Sequence, residues 1–220
     1  MKRIFGLPAI AGLLVALLLG ACSDKATPHT RGVYMLLDTS GTYAHQLDHA
    51  QRIINFTLAK LNPGDSFAVA RVDTGSFSEK NIIVKMTFDD RPSVANEQKR
   101  RFREIVDDFV KNVRPSAYTD ITGGVLQAIE WLNEVNPGRK TILIFSDMKE
   151  DLKKGYVRNI PLQLNGFEVV ALNVTKLRSD NFDPREYMGR LDAWQKKVEA
   201  GGGTWRVIND LQRLDGMLGN

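Results

Sequence analysis

Asp38, Ser40 and Thr42 stand at alternate positions directly after the apolar run Val33-Tyr34-Met35-Leu36-Leu37. A buried strand that stops at Asp-x-Ser-x-Thr places one carboxylate and two hydroxyls on a tight loop at its C-terminal end. All three are hard oxygen donors, which suit Mg²⁺, Mn²⁺ or Ca²⁺ better than zinc or copper. Two later segments carry the same chemistry. Ser116-Ala117-Tyr118-Thr119-Asp120-Ile121-Thr122-Gly123-Gly124 is a hydroxyl-rich loop that opens a helix, and Asp147 follows Thr141–Phe145, a strongly apolar run, after Ser146.

The elements that must position these residues alternate along the chain. Val33 to Leu37 is expected as a buried strand. Leu47, Ala50, Ile53, Ile54, Thr57, Leu58 and Leu61 recur at helical spacing, and Asn62-Pro63-Gly64 ends that helix. Ser66 to Val72 alternates as a strand. Asn81 to Phe88 follows so closely, across Thr74-Gly75-Ser76, that an antiparallel edge strand is expected. Val94 to Val113 and Val125 to Leu132 carry helical periods, the second stopped by Asn136-Pro137-Gly138. Thr141–Phe145, Phe167–Val174 and Trp205–Ile208 read as strands, Pro184–Ala200 as a helix, and a short helix closes the chain. This pattern is α/β: a doubly wound, mostly parallel, Rossmann-like sheet with one antiparallel edge strand and helices on both faces. Such sheets bind ligands at the carboxyl ends of strands where the strand order reverses, and the strands that end at Asp38 and Asp147 are the natural neighbours there.

The order and spacing of the three oxygen-bearing segments resemble the metal-ion-dependent adhesion site of the von Willebrand factor type A family, Asp-x-Ser-x-Ser, then Thr, then Asp. The resemblance runs from about Arg31 to Asn209. It implies that Ser40, Thr42 and Thr119 would offer hydroxyl oxygens directly to a divalent cation, with Asp38 and Asp147 mostly behind bound waters. A cation held by weak donors still attracts an anionic oxygen, and in the family an Asp or Glu of a protein partner supplies it. Two positions depart from the pattern. Thr42 stands in place of Ser, and Met148 stands where the family often has Gly, which is expected to cover the rim with an apolar side chain. Asp120 is either an acceptor for the waters or ligands around the cation or an N-terminal helix charge, and His45 is close enough in sequence to touch the rim.

Competing motifs have weaker support. Val72-Asp73-Thr74-Gly75-Ser76 matches the core of an aspartic protease, which needs two such carboxylates in an all-β dimer; here it reads as a turn after a strand. His45 and His49 share an i, i+4 spacing that suits zinc, but Gln46 stands where the zincin general base would be. Lys99-Arg100-Arg101-Phe102-Arg103 reads as the solvated face of a helix, or as a contact with anionic lipid headgroups.

The first residues concern location. Lys2 and Arg3 precede an apolar stretch too short for a confident membrane span, closed by Leu19-Gly20-Ala21-Cys22. This resembles a bacterial lipoprotein signal, in which Cys22, the only cysteine, would be lipidated. Residues 1–21 would be the signal peptide, 22–31 a tether and 32–220 the domain. Loss of Lys2 and Arg3 lowers 30 basic residues to 28 against 26 acidic ones, a net charge of +2, so nothing calls for nucleic acid. Ser23 after the cysteine fits outer-membrane sorting, with the domain in the periplasm, in a Gram-negative cell.

The expected function is therefore non-enzymatic: an envelope lipoprotein that grips a protein partner through Mg²⁺, or Mn²⁺ or Ca²⁺. The alternatives are a metal-dependent hydrolase acting on phosphate or carbonyl groups, for which only His45 and Asp120 could serve as base, and a scaffold whose metal site is inactive.

Overall fold

Val33 to Leu37 are each exposed by 1% or less, so this strand is covered on both faces. That is why it reads as a continuous apolar run rather than an alternating one. Each such side chain contributes roughly 2 kcal/mol relative to exposure. In the computed structural model, which describes residues 27–41, 46–174 and 183–218, the strand is β1 (Thr27–Asp38). It is followed by α1 (Leu47–Lys60), β2 (Ser66–Val72), β3 (Ile82–Thr87), α2 (Pro92–Asn112), α3 (Ile121–Val135), β4 (Pro137–Phe145), β5 (Phe167–Leu172), α4 (Pro184–Ala200), β6 (Thr204–Ile208) and α5 (Leu211–Leu218). β1 starts earlier than the apolar run implies. Thr27 pairs with Pro137, and a register shift separates that pair from Arg31–Arg139, so part of the segment expected as tether is strand.

The sheet order is β3-β2-β1-β4-β5-β6. Every pairing is parallel except β2 with β3, which is antiparallel as the short connection requires. The order reverses between β1 and β4, where Leu37 lies beside Phe145. Asp38 and Ser146-Asp147 therefore leave adjacent strands at the switch point.

Two cores flank the sheet, following the strand alternation. Met35, Leu37, Leu143 and Phe145 face α1, α2 and α5, where Phe67 stacks on Phe102 with centroids 4.8 Å apart. Tyr34, Leu36, Ile142 and Ile144 face α3 and α4. α3 approaches β1 closely: a Cβ at Gly124 would lie 2.8 Å from Leu36 Cδ2, so glycine there sets the helix–sheet distance. Every described strand and both cores lie between Thr27 and Leu218, so a chain that starts at Ser23 contains all of them. Among the described residues no helix is long and apolar enough to cross a membrane.

The β4–β5 crossover departs from the alternating pattern. Residues 146–166 contain no helix. Leu162 and Leu164 of this segment are instead buried in the core shared with α3 and α4.

Candidate metal centre

The strand that carries Asp38 ends in a turn built by Asp38 itself. Its Oδ1 accepts the backbone N–H of Ser40 at 2.9 Å, and its Oδ2 accepts the Ser146 hydroxyl at 2.7 Å. Ser146 is fully buried and also accepts the N–H of Met148 at 3.0 Å. A single hydroxyl thus fixes the first loop against the third. Asp147 is 4% exposed, and its Oδ1 accepts the N–H of Lys149 at 2.8 Å. Burial pushes the Asp147 carboxyl above its usual range and the negative charge of Asp38 adds to this, while the Lys149 N–H, Arg190 and the Lys149 charge oppose it.

The middle loop is laced to both others. Ser116 forms an isolated parallel bridge with Ser40, its N–H donating to the Thr39 carbonyl at 2.8 Å. Thr119 and Asp151 exchange two backbone hydrogen bonds, of 2.8 and 3.0 Å. The loops that carry Asp38, Ser40, Thr119 and Asp147 therefore meet at the switch point. Thr42 and His45 lie outside the described residues, as does Cys22. Among the described residues no three His, Cys, Asp or Glu side chains gather into a metal cluster. A site of two carboxylates with hydroxyls is a different donor set, and it fits a hard cation: the oxygens are of the right type, and the Asp38 and Asp147 carboxylates are buried within reach of each other's charge.

Of the two expectations for Asp120, the helix-terminus charge is the one the hydrogen bonds describe. Asp120 is the N-cap of α3, its Oδ1 accepting the Gly123 N–H at 2.8 Å. Its Oδ2 accepts the Ser76 N–H at 2.9 Å, and the Arg158 guanidinium donates to the same carboxylate at 2.6 and 3.0 Å. These donors use up its lone pairs and turn it toward the protein. Glu150 completes the helix terminus by accepting the Thr122 N–H at 2.7 Å. Neither Arg158 nor Ser146 is signalled by local sequence, because each meets its partner only through the fold.

Met148 corrects an expectation. It does not cover the rim: its φ is +64° and its side chain is 1% exposed, turned into the core against α4. Its carbonyl accepts the Trp194 indole N–H at 3.1 Å, which holds the turn in that form. The Asp73-Thr74-Gly75-Ser76 segment is a turn, as expected. Ser76 Oγ and the Asp73 backbone close it at 2.8 and 2.9 Å, and the Asp73 carboxylate pairs with Arg71 and the Ser116 hydroxyl. His49 packs edge-on to Phe145, with centroids 5.9 Å apart. In the basic run, Lys99 reaches the Leu61 carbonyl and lies 5.6 Å from the Phe88 ring, and Arg100 pairs with Glu97.

No protein-family model and no curated protein matches the chain. Solved structures do. A von Willebrand factor type A protein from Catenulispora acidiphila aligns at 14% identity and a TM-score of 0.53, over 86% of this chain and 41% of that one. The pilus adhesin SpaC from Lactobacillus rhamnosus GG, in its open conformation, aligns at 10% identity and a TM-score of 0.52, over 90% of this chain and 30% of that one. The chain thus spans less than half the length of either protein. At these identities the likeness concerns the fold, and this chain has the von Willebrand factor type A fold.

Proposed function

We propose that this protein is a binding module of the cell envelope that grips a protein partner through a divalent cation, held by Asp38, Ser40, Thr42, Thr119 and Asp147. The observation that carries the reading is the convergence of three oxygen-bearing loops at the sheet's switch point, with Asp38 and Asp147 both buried there. The cation, Mg²⁺ or in its place Mn²⁺ or Ca²⁺, would supply an electrophilic point that an Asp or Glu of the partner completes. The chain's own residues do the remaining work: Ser146 orients Asp38, and the Thr119–Asp151 bridge holds the middle loop. One solved structure with the same fold is a pilus adhesin, which accords with a binding role. Hydrolysis lacks support among the described residues, since Asp120 is committed to Arg158 and the α3 terminus.

In this reading Cys22 carries the lipid anchor, and the domain faces the periplasm if the cell is Gram-negative. The test is capture of partners from envelope extract in Mg²⁺, with Asp38→Ala and a chelator in parallel. The expected result is capture that both treatments abolish while circular dichroism stays native. Capture indifferent to both would leave a scaffold with an inactive site.

A further inference from the structure

Six large apolar side chains are well exposed among the described residues, and four of them lie on two loops beside the candidate centre: Phe77 (48%), Tyr156 (42%), Val157 (71%) and Ile160 (48%). Clustered apolar exposure of this kind marks interaction surfaces, whereas scattered single residues do not. The two loops are the turn after β2 and the helix-free β4–β5 crossover. A crossover of that length without regular structure is uncommon and is usually functional.

Both loops are held rigidly, and by the same groups that border the metal loops. Arg158 donates to Asp120 at 2.6 Å, and its guanidinium carbon lies 5.5 Å from the centre of the Tyr156 ring. The ring also lies against Gly75: a Cβ there would meet Tyr156 Cε1 at 2.7 Å, and φ is +70°. Only glycine satisfies both conditions. Asp120 also accepts the N–H of Ser76, the residue before Phe77, and Asp120 follows the expected ligand Thr119 directly. A buried ion pair, costly in desolvation, therefore fixes an exposed aromatic and aliphatic platform next to the cation loops. The crossover itself carries Asp147 near its start and touches Thr119 through Asp151. It also exposes Lys149, Lys153 and Lys154 against the single exposed carboxylate of Asp151, a basic balance that suits an acidic partner.

We infer that Phe77, Tyr156 and Val157 form the specificity platform of the adhesion site, and that the partner is a protein segment carrying an apolar side chain beside the acidic residue it offers to the cation. The inference rests on the metal-bridge reading and adds what that reading leaves open, the chemistry that flanks the carboxylate.

The test is panning of phage-displayed peptides, with one fixed Asp flanked by random positions, against the chain from Ser23 to Asn220 in Mg²⁺. Leu, Ile, Phe or Trp should be enriched next to the Asp, and a synthetic peptide of the selected sequence should bind roughly tenfold more weakly to Phe77→Ser and to Val157→Asp. Both positions are exposed, so native circular dichroism and unchanged Mg²⁺ titration are expected in these variants. Cation-dependent enrichment that is indifferent to the flanking residues and to both variants overturns the platform and leaves the metal bridge standing. Enrichment that survives chelator and Asp38→Ala overturns the joint use of platform and cation. No enrichment over the Asp38→Ala background overturns the platform as well.

Discussion

Asp38 commits one carboxylate oxygen to the Ser40 N–H and the other to the Ser146 hydroxyl, so its orientation is fixed before any cation arrives. Groups that hold a ligand in place commonly change metal affinity 10–100-fold when removed. Ser146→Ala should therefore weaken Mn²⁺ binding by about tenfold, measured by titration calorimetry, while Asp147 and Thr119 remain in place. An unchanged affinity would mean that Asp38 is held well enough by its own turn. The candidate positions Asp38, Ser40, Thr119 and Asp147 could be picked out in the sequence because strand ends and loop hydroxyls are local features. Ser146 was visible as a neighbour of Asp147, but its bond to Asp38 spans 108 positions and exists only because β1 and β4 are adjacent. Met148 misled for a related reason. Its identity suggests an apolar rim, yet a backbone turn at φ +64° points the side chain inward, and side-chain identity does not encode that turn.

Among the elements, the apolar runs and helical periods gave the order of strands and helices, and the short β2–β3 connection gave the antiparallel edge. What composition could not give was the 146–166 crossover, where Leu162 and Leu164 are too few to show a period yet fill the core. The start of β1 was also hidden, since Thr27 to Gly32 has no apolar pattern and is ordered by pairing with β4. The crossover depends on the Arg158–Asp120 pair, in which Asp120 is 1% and Arg158 16% exposed. Removing one partner of such a pair leaves an uncompensated charge at a cost of about 3 kcal/mol, near the low end here because Asp120 keeps two backbone donors. Urea unfolding of Arg158→Ala should show that loss. Arg158→Lys should fall between it and the unmodified protein, because a point charge cannot reproduce the fork. A change below about 0.5 kcal/mol would contradict the assigned role.

The molecule as a whole has two ends with different chemistry. The carboxyl end of the sheet gathers the acid and hydroxyl loops and the apolar platform, while the chain enters β1 at the opposite end, after Cys22. If the cysteine is lipidated as proposed, the chain reaches the domain at the end of β1 opposite the candidate centre. The central claim is that the three loops hold a divalent cation which accepts a carboxylate. The measurement that tests it most directly is calorimetric titration of Mg²⁺ and of Mn²⁺ into the chain from Ser23 to Asn220, with and without glutamate, beside Asp38→Ala. The account expects saturable binding that tightens with glutamate and disappears in the variant. Absence of binding in the unmodified chain even with glutamate present, or binding that Asp38→Ala leaves intact, would contradict it.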